Sequence, residues 1–125
     1  MLRSIILVGI GGGIGSMLRY LITFFTNKYI HSSFPFGTFL VNLFGCLLIG
    51  ILIGVFEKQL TLNADCRHLL IAGFCGGFTT FSTFASENVL LMQSGNYLMS
   101  VLYISASILT GLTAVFVGIQ VIKLL

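Results

Sequence analysis

Gly73-Phe74-Cys75-Gly76-Gly77-Phe78-Thr79-Thr80-Phe81-Ser82-Thr83-Phe84 is the stretch on which the reading of this chain turns. Three glycines are followed by four hydroxyl residues and three phenylalanines. Glycine costs about 1 kcal/mol per residue in a helix, and threonine is a weak helix former. The stretch lies inside a long apolar segment, so the expectation is a helix that breaks near Gly76–Thr79. Non-helical backbone at membrane depth survives only where it is buried in protein or lines a cavity. A break there frees carbonyls for a cation and amides for an anion. The bland alternative is a kinked helix whose hydroxyls bond back to carbonyls four residues earlier.

The rest of the chain says why membrane depth is the right frame. Of its 125 residues, 57% are hydrophobic and 7% charged, and the mean hydropathy is +1.10. A soluble domain is roughly one quarter charged, so this chain could not coat a globule with water-compatible surface. A crossing helix needs about 20 apolar residues. Four such helices use most of the length, which predicts an all-α membrane protein forming one domain over residues 1–125. The predicted spans run from Ser4 to Thr26, Pro35 to Phe56, His68 to Met92 and Tyr97 to Lys123. Between them, Asn27 to Ser33, Thr61 to Arg67, and Gln93 to Asn96 read as loops, and Pro35 suits a first helical turn. The first apolar run is longer than the roughly 7–15 residues of a signal peptide's apolar region, so it reads as a retained helix. Four short helices cannot enclose a wide pore. A substrate path would lie in a narrow crevice or between subunits, which predicts an oligomer.

Charge and cysteine content exclude several classes. Six basic residues against three acidic ones, with no basic run, do not suit nucleic acid. Cys46, Cys66 and Cys75 are odd in number and form no C-x-x-C, so no zinc or disulfide framework is readable. His31 and His68 have no nucleophile or paired carboxylates near them in sequence, so no enzyme is expected. In a four-span topology Arg3, Lys58, Arg67 and Lys123 share one side, and Lys28 lies on the other. That bias favours cytoplasmic termini.

Further residues demand an explanation. Arg19 lies inside an apolar span, where a charge costs at least about 2.5 kcal/mol. It either faces a watery vestibule or snorkels to a headgroup. Before it, Gly9 with Gly13 and Gly11 with Gly15 have small-x-x-x-small spacing, which lets helices approach closely. The same glycines do not complete a nucleotide-binding G-x-G-x-x-G, because Ser16 takes the last position. On span two, Thr38, Asn42 and Cys46 recur every fourth residue beside Gly45. Asn42 serves as an interhelical hydrogen bond, a pathway donor, or both. After the expected break, Phe81 and Phe84 share a face with Asn88. Thr83 and Glu87 share the neighbouring one, and Tyr103, Ser107 and Thr110 add polar groups on span four. A row of hydroxyl, amide and positive ring-edge groups suits a small anion. Conduction then needs sites that bind yet release.

Taken together, three segments resemble the Fluc (CrcB) family of fluoride channels over essentially the full length. They are Gly11-Gly12 through Gly15 to Arg19, Pro35-Phe36-Gly37-Thr38-Phe39-Leu40-Val41-Asn42-Leu43-Phe44-Gly45, and Gly76-Gly77-Phe78-Thr79-Thr80-Phe81-Ser82-Thr83-Phe84. Ser16 departs from the family's common alanine. The resemblance implies an antiparallel dimer in the cell membrane, with two narrow pores that export fluoride passively. It implies that Phe81 and Phe84 meet the ion by their ring edges and that Asn42 donates to it. It makes Thr83, Glu87, Tyr103 and Ser107 a polar track and sets Arg19 in the vestibule. It implies that backbone carbonyls of Gly76 and Thr79 hold a structural sodium at the dimer centre. Homodimeric members insert in both orientations. The four-to-one basic bias therefore leaves open a partner chain, homologous to this one, inserted the other way up.

Two other functions compete. A proton-coupled exporter of cationic drugs wants a carboxylate in mid-helix, whereas span one holds Arg19 and no acid. The chain also has no tryptophan to stack on a cation. A non-transporting packing subunit would use the glycines but leaves Asn42 and residues 76–84 unexplained.

Overall fold

The computed structural model describes residues 1–58 and 63–125. Four helices in it are long and apolar enough to cross a membrane. Helix α1 runs Leu2–Tyr29 and α2 runs Phe36–Lys58. The third crossing is made in two pieces. Its first piece, α3, covers residues 64–78 and consists of α-helical Ala64–Arg67, π-helical His68–Cys75 and α-helical Gly76–Phe78. Its second piece, α4, is Phe81–Gln93. The last crossing, α5, is Tyr97–Leu124.

The spans run slightly longer than the sequence suggests, because polar residues at their ends continue the helix. Asn27, Lys28 and Tyr29 extend α1 rather than opening a loop. Glu57 and Lys58 extend α2, while Gln59 lies outside the described residues. Thr61 and Leu62, the start of the loop expected at Thr61–Arg67, also lie outside them. The end of that expected loop is helical from Ala64, because the Asn63 side chain accepts from the Cys66 amide at 3.0 Å and caps a new helix. At the other end of the bundle, the turn at 94–96 closes through Gly95 at φ +79°, a conformation glycine adopts without steric cost.

Two helix pairs make most of the packing, α1 against α3 and α2 against α5. In both, glycine lets backbone meet backbone. A side chain at Gly11 would strike the Leu69 carbonyl and the Phe74 amide, and one at Gly15 would strike the Phe74 carbonyl and the Phe78 amide. Gly9 and Gly13, the other small-residue pair, face open space instead. Between α2 and α5, Gly50 lies on Val115 and Gly118 on Leu47 and Ile51. Lipid offers no hydrophobic drive between helices, so this close dispersion contact is what holds the pairs together.

Both chain ends meet, at one end of the bundle, residues that flank the second connection. Arg3 pairs with Asp65 at 2.6 Å, and Lys123 pairs with Glu57 at 3.4 Å.

These contacts rank the glycines. Gly15→Ala must push backbone apart and should lower stability by about 1–3 kcal/mol. Gly111→Ala would meet only the Cys46 sulfur, at 3.4 Å, and should leave stability near wild type. Thermal unfolding of the two variants in detergent checks the order.

Candidate functional site

The helix breaks at Thr79 and Thr80. Thr79 has ψ 156° and Thr80 has φ −148° and ψ 118°, both extended. The interruption sits at the far edge of the Gly76–Thr79 window expected from sequence. It is preceded by a π-helical stretch that sequence reading did not anticipate. In an unbroken helix the Thr80 N–H would donate to the Gly76 carbonyl. Here it donates to Asn42 Oδ1 at 2.8 Å, and Asn42 Nδ2 donates to the Thr80 carbonyl at 3.1 Å. One side-chain amide thus takes both backbone groups of Thr80, and the Gly76 carbonyl is left outside the helical ladder. Gly45, on α2, has no side chain because Thr79 Cγ2 occupies that space.

The helix then restarts. The Thr80 hydroxyl caps α4 by accepting from the Thr83 amide at 3.3 Å, and it donates to Thr83 Oγ1 at 3.1 Å. On the next turn Glu87 receives two hydroxyl donors. Thr38 Oγ1 donates to Oε1 at 2.7 Å, and Tyr103 OH donates to Oε2 at 2.8 Å. Thr38 and Tyr103 are fully buried. Three helices therefore converge on one carboxylate, at positions the sequence placed on three separate spans.

Aromatic rings flank this row. Phe84 and Tyr103 lie 5.0 Å apart between centroids at 64°, an edge-to-face arrangement. Phe81 and Phe84 are 5.8 Å apart at 44°. Phe84 is partly covered, whereas Phe81 is 79% exposed. Both line a cleft of about 450 Å³ with Asn42, Gly76, Thr79 and Ser107. The Ser107 hydroxyl is buried there without a partner.

Arg19 stands on the other side of the break. It lines a crevice of about 250 Å³ with Ser16, Thr38, Thr80 and Thr83, and its Nε is buried with no hydrogen-bond partner. Thr38 and Thr80 face this crevice, and Thr80 also lines the cleft, so the interruption separates two cavities.

The structure thus brings Asn42, Thr38, Thr83, Glu87, Tyr103, Phe84 and Arg19 around one interrupted helix. It leaves Phe81 at the rim. Sequence reading missed Ser100, which bonds to Asn88 at 3.0 Å, and Phe34, whose ring meets Tyr103 at 5.2 Å. Neither carries a spacing signal, because each partner lies on another element. Among the described residues no group of three or more His, Cys, Asp or Glu could hold a metal ion. A cation here would need carbonyls, and that of Gly76 is free of the ladder.

The model of the family described as CrcB-like protein, Camphor Resistance (CrcB), matches residues 6–119. Three relatives carry the name fluoride-specific ion channel FluC. The one from Flavobacterium psychrophilum is 46% identical over 98% of each chain. That from Azobacteroides pseudotrichonymphae is 50% identical over 94% of each. That from Phocaeicola vulgatus is 43% identical over 94% of this chain and 97% of its own. With a match across nearly all of its length and a break at the glycine–threonine stretch, this multi-pass membrane chain belongs to the CrcB family.

Proposed function

We propose that this chain is a fluoride-selective channel, not an enzyme, through which the ion leaves the cytoplasm passively and its toxicity is lowered. The observation that carries the reading is the interrupted third crossing. At the break, hydroxyls, an amide and ring edges line cavities, and no acidic side chain stands free. A small, strongly hydrated anion needs donors to replace part of its water without a fixed charge that traps it. Thr83 and Ser107 carry hydroxyl protons not committed to a neighbour, and Phe81 and Phe84 offer positive ring edges. Arg19 gives the crevice a positive mouth, which raises the local concentration of anions. The names carried by the relatives support the same ion.

Glu87 argues against the drug-exporter reading. Both of its oxygens already accept from hydroxyls, so it is not a free carboxylate waiting for a cation.

The working unit in this reading is an antiparallel dimer of a single domain over residues 1–125, set in the plasma membrane. Phe81 is exposed at the rim of a cleft that one chain leaves open, and a second subunit would supply the missing wall. That subunit is a copy inserted the other way up or a homologous chain. A sodium ion held by the Gly76 and Thr79 carbonyls would sit where the two breaks face each other. It would neutralise carbonyl dipoles that the helix no longer uses.

Liposomes containing this chain alone should release fluoride rapidly and chloride poorly. Phe84→Ile and Phe81→Ile should each abolish fluoride release, as read with a fluoride electrode. Comparable fluoride and chloride fluxes would remove the assignment. Asn42→Ala leaves the Thr80 amide and carbonyl unpaired. It should cost about 1–3 kcal/mol of stability in thermal unfolding and slow fluoride release in the same assay.

A further inference from the structure

The second half of the third crossing has lost its helical tether. Two extended residues separate α4 from α3, so its orientation must come from side contacts. It packs chiefly on α5. Two consecutive residues of α4 reach that helix. Glu87 receives the Tyr103 hydroxyl, and Asn88 Oδ1 receives the Ser100 hydroxyl at 3.0 Å. Ser100 and Tyr103 are three apart, on one face of α5.

The two contacts differ in kind. Glu87 is shared with Thr38 on α2 and stands in the polar row beside Phe84. A group that exchanges partners as an ion passes cannot also hold the helix still. Asn88 and Ser100 are only 4% and 2% exposed, and neither bonds to α2. Neither side chain ionises. Asn88 also donates from Nδ2 to the Phe84 carbonyl at 2.8 Å. Its amide is therefore fixed at the oxygen end to α5 and at the nitrogen end to the residue whose ring meets Tyr103. A buried amide held at both ends in this way favours one arrangement, because any rotation of α4 would strand the Ser100 hydroxyl and the Asn88 oxygen that it meets.

We propose that the Asn88–Ser100 hydrogen bond is a positioning clamp. It sets the rotation of α4 on α5, aims the Phe84 ring at the path, and leaves Glu87 free to change partners. This rests on the channel reading above. Asn88 and Ser100 do not touch the ion in this account; they act through Phe84.

The test places 4-fluorophenylalanine at position 84 of the full chain in lipid vesicles and compares wild type, Ser100→Ala and Ser100→Thr. Wild type and Ser100→Thr, which keeps the hydroxyl, should each give one narrow fluorine resonance. Ser100→Ala should give a broadened or split one. In unlabelled protein, Ser100→Ala should lower the preference for fluoride over chloride about tenfold, the ratio that about 1.4 kcal/mol of lost discrimination produces, and Ser100→Thr should restore it. If Ser100→Ala does not purify, Ser100→Cys, close in size and a weaker donor, takes its place. An unchanged resonance overturns the clamp. A changed resonance with unchanged selectivity, or a lowered melting point alone, overturns its link to permeation. Absence of fluoride flux from the wild type overturns the channel reading instead, and the resonance still decides the clamp.

Discussion

A peptide group at membrane depth has no water to bond, and leaving it unpaired costs several kcal/mol. Everything distinctive in this protein follows from how it meets that constraint at Thr80. The chain opens its third crossing there and fills the gap with the amide of Asn42, which gives Thr80 both a donor and an acceptor. Gly45 makes room for Thr79 on the same helix. Without the amide, the Thr80 N–H and carbonyl would be left unpaired. The Thr80 cap, the Glu87 junction and the two flanking cavities would then lose their placement.

The glycines serve a second constraint. A broken helix has fewer backbone hydrogen bonds to hold its shape, so its neighbours must. Gly11 and Gly15 bring α1 onto the backbone of the first half, directly before the break. The Ser16 hydroxyl, which donates to the Gly12 carbonyl at 2.7 Å, lies 3.4 Å from the Gly77 carbonyl. The second half depends instead on α5 and α2, through hydroxyls that meet Glu87 and Asn88. Rigid packing thus stands on one side of the interruption and a polar junction on the other. That division suits a device in which the site is fixed but its last contacts can exchange.

Much of this was legible in the residues. The apolar content and spacing gave four crossings, and the ends moved where Asn27–Tyr29, Glu57–Lys58 and Ala64–Arg67 proved helical. The glycine–threonine stretch announced the interruption, because its propensity conflicts with the run around it. Asn42 stood out as an amide in oil. Its partner did not, since a backbone group on another helix leaves no trace in composition. The π-helical turns from His68 to Cys75, which lie against Gly11, were equally silent. Gly9 and Gly13 show the converse limit: spacing identifies a face that permits close approach but not whether a neighbour within the chain uses it.

The most direct measurement is solid-state nuclear magnetic resonance of the chain in bilayers, with carbon and nitrogen labels at Thr79, Thr80 and Asn42. The account predicts strand-like shifts at both threonines and a through-space contact between the Thr80 amide and the Asn42 side-chain carbonyl. Helical shifts at both threonines, with no such contact, would contradict it.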